Sequence, residues 1–330
     1  MFWYILILLT LVLWSIYQLY SWWKHRPWVG DLPNKCVFIT GCDSGFGWAT
    51  AKSLYRRRVP VFAGCLTEEG AHRLREETCD GVDTILIDIS ETKSIERAYK
   101  YVCDKLPTGS VLWGIVNNAG IAGVGGPLEF MTRSDYQSVM EVNCFGAVEV
   151  ARIFLPLIKK SQGRIINTAS MIAESPWPNM LPYVISKFAM KAFSGALRRE
   201  KIQWGINVST IEPGEFKTNI SNPEIFKAKF TKQWNNLDPA IRKEYGQEYF
   251  QSVTSAICKN LEAQTAIDLK PVIEAYEHAL FAKEPYALYT PGIDSKIIYY
   301  LANYCPSFLL DKIIIKTFSA IKPEALKNRL

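Results

Sequence analysis

The residues with the clearest chemical potential are tyrosines followed four positions later by a lysine. This spacing occurs at Tyr20/Lys24, Tyr101/Lys105 and Tyr183/Lys187. Side chains four apart share one helical face, so the lysine ammonium can favour the tyrosine phenolate, a base able to deprotonate an alcohol. Only the third pair has companion residues: Ser170 lies thirteen positions before Tyr183 at the end of a predicted strand, and Pro213-Gly214 closes the next predicted strand. We therefore take Tyr183/Lys187 as the candidate catalytic pair.

A glycine-rich segment near the start of the chain is the candidate cofactor site. Glycines 41, 45 and 47 follow the apolar run "CVFIT" and precede a helical pattern that continues to about Tyr55. A strand, a glycine turn and a helix in this order bring the backbone and the helix N-terminus close to a pyrophosphate. The predicted contacts in this turn are Thr40, Gly41, Ser44, Gly45, Phe46 and Gly47.

Continuous apolar runs alternate with helical patterns along the rest of the chain. The predicted strands are 36–40, 59–65, 84–89, 111–120, 164–170 and 206–214, and the longest predicted helices are 134–159 and 183–200. Apolar strands separated by helices are typical of a parallel sheet covered on both faces. The expected fold is α/β, a Rossmann-type doubly wound sheet in a single catalytic domain spanning 35–295.

Composition excludes several classes of function. The 330 residues carry 38 basic and 32 acidic side chains, a net charge of +6 without a basic stripe, so we expect no nucleic-acid partner. The eight cysteines include no Cys-x-x-Cys pair and are predicted to be small apolar residues, not disulfides or zinc ligands. With three histidines far apart in sequence, we expect no metal site.

The first 23 residues contain no charged side chain, have aromatic residues at both ends and are followed by Lys24-His25-Arg26. This pattern predicts a single-pass transmembrane helix at 1–23, a basic juxtamembrane linker at 24–34 and a cytosolic catalytic domain. A cleaved signal peptide is the alternative, but its basic n-region and small-residue cleavage site are absent. The apolar extension 296–330, interrupted by Pro306 and Asp311, is expected beside the active-site mouth or on the membrane surface.

Taken together, these motifs resemble the classical short-chain dehydrogenase/reductase family over roughly residues 33–220. The resemblance is carried by the Gly-x-x-x-Gly-x-Gly turn, "NNAG" at 117–120, Ser170, Tyr183/Lys187 and Pro213-Gly214. Segments such as "ITGCDSGFG", "LRRE" and "IEPGEFKTNI" look similar to the membrane-bound retinol dehydrogenase and 17β-hydroxysteroid dehydrogenase type 2 group. 3-Hydroxybutyrate dehydrogenase is a neighbour of that group.

The resemblance implies roles for individual residues. Tyr183 is the expected base, Lys187 supports it and binds the nicotinamide ribose, Ser170 holds the substrate oxygen, and Asn143 supports a proton-relay water. The further expected cofactor contacts are Asp88, Asn117, Ala119, Gly120, Pro213, Gly214 and Thr218. The resemblance also implies that residues 214–265 cover the substrate, that the chain pairs into a homodimer, and that it lies in the endoplasmic reticulum membrane.

Cofactor choice depends on the end of the second strand, where NAD-specific members of the family often carry an acid. Here Gly64, Cys65 and Leu66 occupy that place, and the glycine turn lacks a basic residue, which favours NAD over NADP. The predicted function is oxidation of a lipophilic alcohol, a steroid or retinoid. Three alternatives remain: an NADPH carbonyl reductase, a hydroxy-acid dehydrogenase, and a catalytically silent nucleotide-binding scaffold. A basic residue close to Gly64 in space would favour the NADPH carbonyl reductase.

Overall fold

The computed structural model describes residues 2–263, 266–318 and 322–327. At its centre is a parallel sheet of seven strands in the order β3-β2-β1-β4-β5-β6-β7. The strands are β1 Lys35–Thr40, β2 Val61–Cys65, β3 Asp83–Leu86, β4 Val111–Asn117, β5 Arg164–Thr168, β6 Asn207–Ile211 and β7 Leu288–Tyr289. This confirms the predicted α/β doubly wound parallel sheet in a single domain. The short edge strand β7 was not predicted, because two residues carry no periodicity.

Helices cover both faces of the sheet. The α-helices of the described residues are α1 Phe2–His25, α2 Gly45–Arg56, α3 Glu68–Glu77, α4 Thr92–Lys105, α5 Arg133–Met140, α6 Ala147–Ser161, α7 Leu181–Lys201, α8 Pro223–Asn235, α9 Pro239–Tyr245, α10 Gln247–Ala263, α11 Lys270–Phe281, α12 Ile293–Tyr304 and α13 Ser307–Phe318. The central strands are buried on both faces, and their side chains contribute to two hydrophobic clusters. Burial on both faces explains why these strands are continuously apolar.

The predicted helix 134–159 is divided in the structure. Helix α5 ends at Met140, a π-helical turn covers Glu141–Gly146, and α6 begins at Ala147. A π turn inserts an extra residue into the helical ladder and changes the direction of the side chains it carries. Asn143, the candidate for supporting the proton relay, lies in this turn.

Helix α1 covers the segment for which a membrane span is predicted and meets the domain at its C-terminal end. The His25 ring lies 3.8 Å from the Tyr286 ring, and the His25 carbonyl is 3.0 Å from Nε2 of His278. Val29 and Lys283 continue this junction through backbone hydrogen bonds. Among the described residues, the helices fall short of the combined length and apolar character needed to cross a bilayer.

The segment predicted to cover the substrate forms helices α8, α9 and α10. Their aromatic side chains pack with Phe130 in a cluster of their own that includes Phe230, Trp234 and Phe250. Beyond it, α12 packs beside the turn Met171–Ala173, and a break at Pro306 separates α12 from α13. Asp311 lies inside α13, where it interrupts the apolar run but not the helix.

Candidate active site

The glycine turn between β1 and α2 provides a cradle with the shape that a dinucleotide pyrophosphate needs. Gly41 and Gly45 have φ angles of +72° and +63°, and a Cβ atom on Gly41 would lie 2.7 Å from the Cα of Ala119. Only glycine tolerates this backbone and this close approach. The N-terminus of α2 begins at Gly45 and presents backbone N–H groups at the carboxyl edge of the sheet. These residues fit a nicotinamide dinucleotide.

Thr40 and Asn118 fix the two sides of this crevice. The Thr40 hydroxyl oxygen accepts hydrogen bonds from the backbone N–H groups of Asn118 and Ala119, both at 3.1 Å. The Asn118 amide donates to the carbonyls of Thr40 at 2.9 Å and Gly41 at 3.0 Å. Asn118 was missed at the sequence level, although its position in "NNAG" marks it. It holds the end of β4 against the glycine turn.

Two predicted cofactor contacts have their side chains elsewhere. The Asn117 side chain is buried and donates to Asn167 Oδ1 at 2.8 Å and to the Ala147 carbonyl at 3.2 Å. Phe46 packs edge-on against Phe216, with ring centroids 5.7 Å apart. The Asn117 side chain therefore joins the sheet to α6 and does not face the ribose, and Phe46 belongs to the core.

The remaining predicted cofactor contacts lie at the carboxyl edge of the sheet. Asp88 follows β3 and accepts hydrogen bonds from the Ser90 N–H and hydroxyl at 2.9 and 2.7 Å. Thr218 lies over the glycine turn, with Cγ2 3.4 Å from where a Gly45 Cβ would be. Beside it, Asn219 donates to the Ser44 hydroxyl at 3.0 Å. The segment after Pro213-Gly214 therefore reaches across the pyrophosphate cradle.

Asn143 is locked in place by its neighbours. Its Oδ1 accepts a hydrogen bond from the Ile121 N–H at 2.7 Å, and its Nδ2 donates to the Ile121 carbonyl at 2.9 Å and to Ser186 Oγ at 3.0 Å. The side chain is buried, and it joins the π turn to the loop after β4 and to α7. Because its side-chain amide is engaged, Asn143 can hold a relay water only through its backbone.

Ser170, Tyr183 and Lys187 come together at the end of β5 and the start of α7. The Ser170 hydroxyl hydrogen-bonds to the Tyr183 phenol and lowers its pKa, but burial outweighs this effect and raises the pKa of Tyr183 to about 12. Burial lowers the pKa of Lys187 to about 8. The Lys187 ammonium donates to the Thr168 carbonyl at 3.0 Å and lies 5.5 Å from the centroid of the Tyr183 ring.

This arrangement can carry out acid–base chemistry on an alcohol or carbonyl. Ser170 can hold the substrate oxygen, and the Tyr183 phenolate can accept its hydroxyl proton while Lys187 stabilises the negative charge. When bound, an oxidised nicotinamide would supply the hydride acceptor and a positive charge. A positive charge close to the phenol would oppose the effect of burial on the pKa of Tyr183.

A buried polar chain behind the site was also missed from the sequence. Thr168, whose carbonyl receives Lys187, has its hydroxyl 2.7 Å from the Tyr276 hydroxyl. Tyr276 is fully buried on α11 and donates to Asn118 Oδ1 at 3.3 Å. The chain links the lysine of the catalytic pair to the glycine turn. A lone tyrosine in a C-terminal helix gives no sequence signal for such a contact.

Comparison with known proteins is consistent with this geometry. The family model described as short chain dehydrogenase matches residues 35–227. The chain therefore belongs to the short-chain dehydrogenase family, and it is an NAD(P)-dependent short-chain dehydrogenase/reductase. This confirms the resemblance inferred from the motifs and makes the silent-scaffold alternative wrong.

Curated relatives align over nearly the whole chain. Retinol dehydrogenase 7 of Rattus norvegicus is 40% identical over 321 residues, covering 96% of this chain and 98% of its own. Retinol dehydrogenase 16 of Homo sapiens is 37% identical over 300 residues, covering 91% and 94%. Short-chain dehydrogenase/reductase family 9C member 7 of Homo sapiens is 37% identical, covering 90% and 94%. The chain is thus close to retinol dehydrogenases.

Solved structures share the fold at lower identity. A short-chain dehydrogenase from Streptomyces avermitilis superposes with a TM-score of 0.64 at 20% identity, covering 86% of this chain and 97% of its own. A 3-ketoacyl-(acyl-carrier-protein) reductase from Brucella melitensis complexed with NADH gives a TM-score of 0.62 at 21% identity, covering 80% and 98%. These similarities establish the architecture alone.

Proposed function

We propose that this protein is a membrane-attached, NAD-dependent dehydrogenase of a lipophilic alcohol, a retinoid or a steroid. The observation that carries the proposal is the meeting of Ser170, Tyr183 and Lys187 beside the dinucleotide cradle, with Asn143 fixed behind them. Similarity to proteins named retinol dehydrogenase supports an apolar alcohol as substrate.

The region after Pro213-Gly214 supports an apolar substrate as well. Phe226 and Phe230 pack against the loop after β4, where Cβ atoms on Gly125 and Gly126 would touch their rings at 3.2 and 3.1 Å. That loop carries Ile121, the partner of Asn143. A lid whose interior is aromatic, seated on a loop that leads into the site, favours an apolar ligand over a small charged one.

NAD preference is supported by Asp43, a residue of the glycine turn. Its carboxylate accepts hydrogen bonds from the backbone N–H groups of Leu66 and Thr67, each at 2.8 Å, and from the Thr67 hydroxyl at 2.7 Å. Asp43 thus puts a negative charge at the end of β2, where Rossmann enzymes meet the adenosine ribose. Such a charge accepts a 2′-hydroxyl and repels a 2′-phosphate.

Arg73 is the feature that favours the NADPH alternative. Its guanidinium donates to the Asp43 carbonyl, and it lies close enough to Cys65, at the end of β2, for its charge to act on the pKa of that thiol. Arg73 is engaged with the backbone and lies 5.9 Å from the Trp48 ring centroid, so Asp43 is the group that bonds the strand end directly. The two residues predict opposite cofactor choices and can be tested against each other.

The cofactor test compares kcat/KM for NAD and NADP in Asp43→Asn and Arg73→Ala. If NAD is preferred through Asp43, the asparagine variant loses most of the discrimination against NADP, and Arg73→Ala leaves NAD turnover nearly unchanged. Loss of NADP turnover in Arg73→Ala, from a wild type that prefers NADP, would instead establish the NADPH reductase.

Membrane attachment is proposed at the endoplasmic reticulum, with the catalytic domain on the cytosolic side and residues 1–23 as the anchor. Support comes from the uncharged sequence up to Trp23 and from exposed apolar side chains on α1, such as Leu8, Leu13 and Leu19. Carbonate extraction and protease protection of microsomes carrying the full chain test it. Retention at alkaline pH with a protease-sensitive domain supports the anchor, and release into the supernatant contradicts it.

The central test measures NADH formation by such membranes over a panel of hydroxysteroids, retinol and 3-hydroxybutyrate, with NAD and NADP in parallel. Turnover of retinol or a steroid that is lost in Tyr183→Phe supports the proposal. Turnover of 3-hydroxybutyrate alone supports the hydroxy-acid alternative. Measurable NADH binding without turnover of any panel member contradicts the proposed substrate class.

A further inference from the structure

A cluster of three charged side chains, two buried carboxyls and a partly exposed lysine, lies one helical turn beyond Lys187. Lys191 on α7 contacts the Glu174 carboxylate, and its ammonium lies 3.5 Å from a carboxyl oxygen of Glu212. The Glu212 side chain is fully buried, and that of Glu174 is 6% exposed. Charges at this depth lose their hydration and persist only when paired. The established chemistry uses none of the three residues.

The three members come from the three segments that carry the reaction. Glu174 ends the turn that starts at Ser170, since the Ala173 N–H donates to the Ser170 carbonyl at 2.9 Å. Glu212 directly precedes Pro213-Gly214, and the Pro213 carbonyl receives the Met171 N–H at 3.1 Å. Lys191 extends the helical face that carries Tyr183 and Lys187. The cluster is therefore the point where these segments are tied together.

The charges of the cluster balance only if one proton is held. Two carboxylates and one ammonium would leave a net negative charge, and the two Glu212 oxygens have no hydrogen-bond partner within the described part of the chain. Burial raises the pKa of Glu212 to about 8, Lys191 opposes this rise, and the nearby Glu174 adds to it. With the Glu212 carboxyl protonated at neutral pH, the cluster is a neutral unit.

Helix α12, which comes from the C-terminal part of the chain, packs next to the cluster. Asn303 Nδ2 donates to Glu174 Oε2 at 3.2 Å, and Tyr299 lies close enough for Glu174 and Lys191 to influence its pKa. At the start of α12, the Ser295 hydroxyl donates to the Glu212 carbonyl at 2.7 Å. The groups that face the two carboxyls are thus Lys191 from α7 and Tyr299 and Asn303 from α12.

We propose that Lys191 is a positioning residue of the dehydrogenase: by bridging the buried carboxyls of Glu174 and Glu212, it holds the Ser170 turn and the Pro213-Gly214 turn in register with the Tyr183/Lys187 helix. The proposal rests on the function proposed above. It goes beyond that function because the cluster touches neither substrate nor cofactor. Small displacements of reacting groups are costly, so loosening the cluster lowers the rate of the chemical step.

The test uses the full-length protein in membranes and four variants. Lys191→Met removes the charge at similar length, Lys191→Arg keeps it, and Lys191→Met combined with Glu174→Gln removes a matched pair of charges. Lys270→Met is the control, because the Lys270–Glu274 pair is exposed and lies on α11, outside the three segments that the cluster joins. For each variant we would measure kcat, KM, the Kd of NADH, and amide hydrogen exchange in the peptide covering 168–176.

In Lys191→Met we expect kcat to fall by about tenfold or more, with KM and the Kd of NADH within about twofold of wild type and faster exchange in 168–176. Lys191→Arg should keep most of kcat, and the double variant should regain part of it because the buried Glu174 carboxyl is gone. If Lys191→Met fails to fold, the double variant is compared with the wild type in its place, by the same measurements of kcat, KM, the Kd of NADH and amide exchange in 168–176.

Unchanged kcat in Lys191→Met, or equal losses in the arginine and methionine variants, would overturn the proposal. A lower melting temperature with unchanged kcat per folded molecule would reduce the cluster to a stabilising one and overturn it too. If the wild type turns over no panel alcohol, the proposed function fails by itself. The exchange measurement then still decides, because unchanged exchange in 168–176 refutes the positioning role.

Discussion

Tyr183 and Lys187 are buried, and burial sets the pH dependence expected of the reaction. The pKa of Tyr183 is raised to about 12, so little phenolate is present at neutral pH in the protein without cofactor. Because oxidation needs the phenolate, we predict that kcat/KM for the alcohol rises with pH, up to about tenfold per unit below the apparent pKa. A pH–rate profile between pH 6 and 10 checks this.

Lys187→Met is expected to lower kcat by about a hundredfold or more and to move the rising limb of that profile to higher pH, because the ammonium that favours the phenolate is lost. Lys187→Arg is the matched control, since it keeps the charge at the same face of α7. A methionine variant with the wild-type profile would show that Lys187 does not act on Tyr183.

Glu212 gives a prediction about stability. Its pKa is raised to about 8 in the folded protein by burial, against about 4.3 in an unfolded chain. The folded state therefore holds a proton that the unfolded state has lost, so stability falls as pH rises from the unfolded to the folded pKa, by at most about 1.4 kcal/mol per unit. Glu212→Gln should flatten this fall in melting temperature, and Glu284→Gln, at an exposed ion pair, should not.

For single residues, the sequence predicted which side chains could take part in the reaction better than it predicted where each side chain points. Ser170, Tyr183 and Lys187 were found from type and spacing, because the reaction requires those groups on one helix face and one strand end. Asn117 was assigned to the ribose, but its side chain turns into the sheet. Two adjacent asparagines look alike in a sequence, and only the alternation of side chains along β4 separates them.

Among the elements, the glycine turn offers the sharpest test. A Cβ atom on Gly47 would overlap the Gly41 carbonyl oxygen and lie 2.5 Å from Asn118 Nδ2. We predict that Gly47→Ala weakens NADH binding by about tenfold or more and destabilises the protein by about 1–3 kcal/mol, because backbone must move. Titration of NADH fluorescence and thermal unfolding measure both effects.

The control for Gly47→Ala is Gly195→Ala in α7, where the nearest atom to a new Cβ is the end of the Arg199 side chain at 3.4 Å. Alanine favours a helix interior by about 1 kcal/mol relative to glycine, so this variant should bind NADH normally and be no less stable. Equal effects of the two substitutions would contradict a specific role for the turn.

The elements themselves were predictable where periodicity was long. The six predicted strands are all present, because strands buried on both faces must be continuously apolar. The π turn at Glu141–Gly146 was not predictable from the helical pattern of α5 and α6. It depends on tertiary contacts, chiefly those of Asn143 with Ile121 and Ser186.

For the whole molecule, sequence predicted a single catalytic domain but not how its ends meet it. Helix α1 is joined through His25 to His278 and Tyr286, residues about 250 positions away in the chain. The junction consists of ring contacts, backbone hydrogen bonds and the Lys24–Glu284 ion pair, and none of these leaves a pattern in the sequence. The charged cluster of Lys191, Glu174 and Glu212 is hidden for the same reason, since its members are scattered over three elements.

The last prediction concerns the C-terminal helices. Helix α12 contacts the Ser170 side of the site through Asn303, and large apolar side chains of α12 and α13, including Tyr304 and Phe308, are more than half exposed. Deleting residues 296–330 should therefore lower membrane retention or raise KM for the alcohol, while NADH binding is kept. Tyr304→Ser with Phe308→Ser isolates the surface contribution, and Ile202→Ser, similarly exposed and just after the C-terminal end of α7, is its control. If deletion and double substitution both leave membrane retention and KM unchanged, these helices serve neither the membrane nor the substrate.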